Sequence, residues 1–179
     1  MGSGKERVAE RLAALDWDDG ELVVDVGGGN GSLLVELLGR RPGLRGIVFD
    51  LPETVRDEST FPDRCEFVAG DFFVSVPAGD AYVLSGILHD WDDERSVAIL
   101  KHCRRAMGAE GKLLVVEAVL PPGDEPSPGK LVDVVMLTIL TGRERTAAEY
   151  GTLYEAAGFD LTRILPTASP MSIIEGTPA

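Results

Sequence analysis

The chain has 179 residues, of which 44% are hydrophobic, enough for one compact domain with a real core. A formal net charge of −13 excludes the basic surface that DNA or RNA as main partner would need. No apolar run approaches the roughly 20 residues of a membrane helix, so no membrane partner is expected. The longest such run, Val134 to Leu140, is short and contains Thr138. No charged stretch followed by an apolar one opens the chain, so no secretory signal is expected, and Met1-Gly2-Ser3-Gly4 reads as a small, flexible leader. Cys65 and Cys103 stand alone in separate segments, which fits a reduced, cytoplasmic protein without structural zinc.

Strand and helix patterns alternate along the chain, predicting an α/β fold with a mostly parallel sheet covered on both faces. Val8, Leu12 and Leu15 recur at helical spacing within residues 1–19. Leu22 to Val26 reads as the first buried strand. Leu33, Leu34, Leu37 and Leu38 then share one helical face, ended by Arg40, Arg41 and Pro42-Gly43. Gly46 to Phe49, Cys65 to Ala69, Ala81 to Leu84 and Leu113 to Val116 read as four further strands. Between the last two, Asp92, Asp93 and Glu94 open a helix that Arg104, Arg105 and Gly108 close, matching the helix dipole. Pro121 to Gly129 is rich in Pro and Gly and reads as a loop. Leu131 to Leu140 fits helix or strand equally. Ala147 to Ala157 is helical and stops at Gly158. Phe159 to Leu165 and Ser172 to Glu175 close the chain as an antiparallel pair.

Polar residues gather where strands end. In open α/β sheets, ligands bind beyond the carboxyl ends of the strands. There this chain places Asp25 to Gly31, Asp50, Asp71 and Glu117. Gly27-x-Gly29-x-Gly31 departs from the dinucleotide fingerprint, which wants Gly or Ala where Ser32 stands, and no Gly-Lys-Ser/Thr follows. Asp25 before the glycines suits a ligand carrying an ammonium better than a pyrophosphate. Asp50, a little over 20 residues beyond the loop, can accept the hydroxyls of a ribose, or else cap a helix before Pro52. Asp71 beside Phe72 can meet an adenine amino group and pack its ring, or else serve as a turn residue.

With these residues in hand, the chain resembles the catalytic domain of the plant-type and bacterial small-molecule O-methyltransferases, the caffeate-like and polyketide-tailoring enzymes. The matching stretches are Val24 to Gly31, Phe49-Asp50-Leu51-Pro52, Gly70-Asp71-Phe72-Phe73, His89-Asp90-Trp91-Asp92-Asp93-Glu94, Val116 to Pro121 and Gly142-Arg143-Glu144-Arg145-Thr146. They run in order from about residue 20 to about residue 175. The resemblance implies a Rossmann-like domain over residues 20–179 that binds S-adenosyl-L-methionine and releases S-adenosyl-L-homocysteine. It implies Gly27 and Gly29 at the methionine part, Asp50 at the ribose, Asp71, Phe72 and Trp91 at the adenine, and Asp25 and Leu51 among the other cofactor-binding residues. Ser85 matches a further cofactor-holding position, where the plant enzymes usually carry lysine.

For chemistry, the resemblance implies that His89 is the general base and that Glu117 and Glu144 flank it. The residue types fit that task. Methyl transfer to a hydroxyl is an in-line displacement that needs no metal, and a neutral histidine can take the proton of a phenol. Two carboxylates favour the imidazolium that forms. Each residue also has a plainer reading. His89 could cap the following helix, Glu117 could merely end a strand, and Glu144 could pair with Arg143 or Arg145 at the surface; His102 reads as surface or packing.

Family members carry an N-terminal helical region that forms the dimer and closes the acceptor pocket. That region is absent from these residues, whether in a trimmed chain or a natural short form. Self-association or a lid-supplying partner chain is therefore expected, with Met136, Leu137 and Leu140 as candidate acceptor-facing or dimer-facing residues. The expected acceptor is an aromatic small molecule. Competing readings are a relative that binds the cofactor without transferring methyl, and a lidless binding module that works only with a partner. A nicotinamide dehydrogenase is disfavoured by the loop spacing.

Overall fold

A computed structural model describes residues 4–54, 61–121 and 143–179. Most of the expected Pro-rich loop, the ambiguous Leu131 to Leu140 segment with its candidate acceptor-facing residues, and Gly142 lie outside the described residues.

The described elements alternate as expected. They are α1 (Gly4–Ala13), β1 (Leu22–Val26), α2 (Ser32–Arg40), β2 (Arg45–Asp50), β3 (Cys65–Ala69), β4 (Gly79–Ser85), a 3-10 turn (Leu88–Asp90), α3 (Asp93–Ala106), β5 (Met107–Glu117), β6 (Val119–Leu120), β7 (Arg145–Thr146), α4 (Ala147–Ala157), β8 (Phe159–Pro166) and β9 (Ser172–Pro178). The main sheet has seven strands in the order β3-β2-β1-β4-β5-β9-β8. The first five are parallel, and the closing β8–β9 pair is antiparallel. Strand order reverses between β1 and β4, the place where open α/β sheets bind ligands.

Alternation along the strands divides the core between the two faces. Val23, Ala81, Val83, Leu114 and Val116 meet Val8 and Leu12 of α1 and Leu34, Leu37 and Leu38 of α2. Val24, Val26, Tyr82, Leu84 and Val115 meet Ile99, Leu100 and Cys103 of α3 and Tyr150 and Tyr154 of α4. The apolar stripe read from Leu33 to Leu38 is thus the buried face of α2.

One boundary differs from expectation. Gly108 does not close α3. The backbone turns extended at Met107 and enters β5 directly, and Met107 pairs with Gly79 at the start of β4. Cross-strand pairing therefore claims the residues that sequence pattern assigns to a helix cap. Among the described residues, no helix is long and apolar enough to cross a membrane.

Candidate active site

The glycine turn after β1 is held by its own neighbours. Gly27 and Gly28 donate their backbone N–H groups to the carbonyl of Phe49 at the end of β2. Gly27 has φ +68° and packs so closely on Ile87 that a Cβ there would overlap it. Backbone is thereby laid open at the switch point, where a ligand can approach.

Asp50 ends β2 and ties that turn down. Its Oδ2 accepts the N–H of Gly29 at 2.8 Å, and its Oδ1 accepts the N–H of Leu51 at 2.7 Å and the hydroxyl of Thr54 at 3.1 Å. The described residues that follow, 52–54, form a turn. A carboxylate oxygen has two lone pairs, so these contacts leave capacity for ligand hydroxyls. Asp71 accepts the N–H of Phe73 at 2.8 Å and is exposed, so its turn role leaves carboxylate capacity open. Phe72, Phe73 and Trp91 pack edge to face, with centroids 4.8 to 6.3 Å apart. Gly27, Asp50, Leu51, Asp71, Phe72 and Trp91 all line one cavity of about 320 Å³. Leu51 is 45% exposed there.

Asp25 lies within β1, 2% exposed, and its Oδ2 has no hydrogen-bond partner among the described residues. Burial pushes its pKa up to about 7, against the pull of the Lys5 ammonium and with added repulsion from Asp50. Such a carboxyl is ready for a cationic partner. Ser85 ends β4 and lines a neighbouring cavity of about 290 Å³ together with Lys5, Leu33 and Met171. Ser85 thus stands outside the aromatic cavity that the other residues share. A larger groove of about 660 Å³ between α3 and α4 contains none of the sequence candidates.

His89 sits on the 3-10 turn after β4. Glu117 at the end of β5 organises that turn, because its Oε1 accepts the N–H groups of Ile87, Leu88 and His89 at 2.9 to 3.3 Å. Its Oε2 faces His89 Nδ1 at 3.4 Å, and the residue is fully buried. Glu144 Oε1 lies 3.4 Å from the same nitrogen and Asp90 Oδ1 lies 3.5 Å from Nε2. The hydrogen bond that His89 donates to Glu144, with the charges of Glu117 and Asp90, outweighs partial burial and raises the His89 pKa to about 9. Burial raises Glu117 to about 7, although the imidazolium opposes that rise. His89 does not cap α3. That task falls to Asp92, whose Oδ1 accepts the N–H of Arg95 at 2.8 Å.

Arg145 is a residue that sequence reasoning undervalued. It is fully buried, and its guanidinium donates to the carbonyls of Leu88 at 3.0 Å and Trp91 at 2.8 Å and to Asp93 Oδ1 at 2.9 and 3.0 Å. It therefore clamps the turn that carries His89 from both sides. Glu144 does not pair with it at the surface; Glu144 is buried beside His89. The available signal was Thr146-x-x-Glu149, which forms a capping box at the start of α4 and turns the preceding residues inward.

A switch-point glycine turn, a carboxylate at the next strand end and an acid–aromatic wall define a nucleoside-binding α/β domain, with His89 set between two carboxylates at the same sheet edge. The model of the O-methyltransferase domain family matches residues 6–160. The chain is 52% identical over 172 residues to phenazine O-methyltransferase PhzM from Lysobacter antibioticus, covering 92% of this chain and 50% of that protein. The solved structure of CalO1, a methyltransferase of calicheamicin biosynthesis in its S-adenosylhomocysteine-bound form, superposes with a TM-score of 0.88 at 44% identity, over 98% of this chain and 53% of that one. NcsB1, an O-methyltransferase of neocarzinostatin biosynthesis solved with S-adenosylmethionine and 2-hydroxy-5-methyl naphthoic acid, superposes with a TM-score of 0.83 at 41% identity, over 94% and 52%. The chain belongs to the O-methyltransferase domain family. It spans about half the length of the curated relatives it matches.

Proposed function

We propose that residues 20–179, led by the segment of residues 1–19 that holds α1, form the S-adenosylmethionine-binding catalytic domain of an O-methyltransferase acting on a hydroxyl of an aromatic small molecule, with His89 as general base. The observation that carries this reading is the seating of His89 between Glu117 and Glu144 at the same sheet edge as the acid-and-aromatic cavity. The relatives point the same way, since they are named O-methyltransferases of phenazine, desmethyl-yatein and O-demethylpuromycin, and a cofactor-only role is not favoured.

The residues fit the cofactor. The buried Asp25 carboxyl, whose Oδ2 has no hydrogen-bond partner among the described residues, suits the ammonium of its methionine part, and Gly27, Gly29 and Ser85 would supply the further contacts. Asp50 would hold the ribose, and Leu51, Asp71, Phe72 and Trp91 the adenine. The cofactor supplies a methyl group activated by a sulfonium. His89 Nδ1–H is oriented by the carboxylates, which leaves the Nε2 lone pair to take the hydroxyl proton as the acceptor oxygen bonds to the methyl carbon. The electron pair of the broken C–S bond stays on sulfur. The same carboxylates bring the proton affinity of His89 close to that of a phenol, whose pKa is about 10. Buried free Cys65 and Cys103 suit a reducing, cytoplasmic setting.

Calorimetric titration with S-adenosylhomocysteine, and a methyl-transfer assay on simple phenols, test the reading. Binding that Asp50→Ala weakens at least about tenfold is expected, as is transfer that His89→Ala reduces by about 100-fold or more. A folded chain that binds no S-adenosylhomocysteine would overturn the cofactor site. Near-normal transfer by His89→Ala would overturn the base.

A further inference from the structure

We propose that His89, Glu117 and Glu144 also form a binding site for a borderline divalent cation of the Zn²⁺ type, and that a cation held there switches His89 off as a base. The binding half stands on geometry alone. The inhibitory half rests on the methyl-transfer reading above.

One imidazole nitrogen and two carboxylate oxygens come from three separate elements and lie within 4.8 Å of one another. Nδ1 of His89 is 3.4 Å from Glu117 Oε2 and 3.4 Å from Glu144 Oε1. A tetrahedral ion with bonds of about 2.0 to 2.1 Å spaces its ligand atoms roughly 3.3 Å apart, so two of the three edges already match. Glu117 Oε2 supplies a second observation. It is fully buried and accepts no hydrogen bond among the described residues, while its sister oxygen is anchored by three backbone N–H groups. A single proton on Nδ1 cannot lie on the axis to both carboxylates at once, whereas an ion between the three donors can.

The donor set selects the ion. Three ligands with one nitrogen and an open fourth position suit Zn²⁺ or Co²⁺. Ca²⁺ and Mg²⁺ want about six or more oxygens, and no thiolate is present to favour Cu(I). The effect on catalysis follows from the tautomer. A cation on Nδ1 leaves the proton of a neutral imidazole on Nε2, so the nitrogen that must accept becomes a donor.

Co²⁺ titrated into the purified chain, followed by visible absorption, tests the site. Intense bands of tetrahedral Co²⁺ are expected, abolished by Zn²⁺ and unaltered in His102→Ala. Affinity should fall in Glu117→Gln and Glu144→Gln by more than the roughly 10- to 100-fold that outer-sphere partners cost. Nitrogen NMR of the wild-type ring, which needs no variant to fold, should show Zn²⁺ moving the His89 Nδ1 resonance far more than Nε2. Absence of the bands, bands undiminished in both folded Gln variants, or an unmoved Nδ1 would overturn the proposal. In the assay, Zn²⁺ should inhibit and a chelator should restore transfer; full activity with the ion bound would remove the inhibitory half. A chain that binds S-adenosylhomocysteine but no Co²⁺ sinks this inference alone, and one that binds Co²⁺ but no S-adenosylhomocysteine sinks the methyltransferase reading alone.

Discussion

Glu144 Oε1 lies 3.4 Å from Nδ1 of His89 although the two residues are 55 positions apart in the chain. That contact is the largest cause of the raised histidine pKa of about 9. A base must be neutral to accept a proton, so kcat/KM for a phenol should climb about tenfold per pH unit below pH 9 and level off near it. In Glu144→Gln the bend of the profile should move toward the ordinary histidine value. A pH–rate series on both proteins measures this, and a profile flat from pH 6 to about 9 would refute it.

Asp25 leads to opposite effects on stability and binding. Its raised pKa means that the folded state keeps a proton the unfolded chain has lost between about pH 4 and 7. Stability therefore falls as pH rises through that window, and above it a charge is buried at a cost. Asp25→Asn should stabilise the ligand-free chain at pH 8 by on the order of 2 kcal/mol, and should weaken S-adenosylhomocysteine binding. Thermal melts with and without the ligand read both effects.

Arg145 holds the His89 turn through Leu88, Trp91 and Asp93. Arg145→Met would strip the Leu88 and Trp91 carbonyls of their charged donor, leaving them the Ser96 hydroxyl and, for Leu88, the Trp91 N–H, with Arg143 alone on Asp93, and should cost about 2 to 3 kcal/mol in denaturant unfolding. Asp93→Asn removes only the half-exposed end of the network, with Asp93 52% exposed, and should cost about 1 kcal/mol. Equal costs for the two variants would show that the buried carbonyls do not need the guanidinium.

Gly31 caps α2 with φ +73°, and a Cβ there would come within 2.8 Å of Phe61 and Val48. Gly31→Ala should destabilise by roughly 1 to 3 kcal/mol, from backbone strain and the clash together. Gly39→Ala, where open space surrounds the added methyl, should be neutral or slightly stabilising. Paired urea unfolding curves compare them.

Much of the fold was legible because its signals are local. Leu22 to Val26 and Cys65 to Ala69 read as strands to the residue, and the leucines of α2 face the core as their spacing requires. The glycine turn and the acids at Asp50, Asp71 and Glu117 fall at one sheet edge because a parallel sheet sends every strand end the same way. Gly108 was misread because a helix cap and the first residues of a strand look alike until pairing with Gly79 decides between them.

Sequence by itself thus determined the order of elements, the parallel sheet and the stock of acids, aromatics and histidine at its edge. Their properties came from tertiary structure. Only the packed sheet brings Glu117 and Glu144 to the same nitrogen of His89, buries Arg145 completely, and leaves the Asp25 carboxyl desolvated. The physical reason is range. Periodicity and turn chemistry act over a few residues, whereas desolvation and charge coupling depend on which distant groups share a space from which water is excluded.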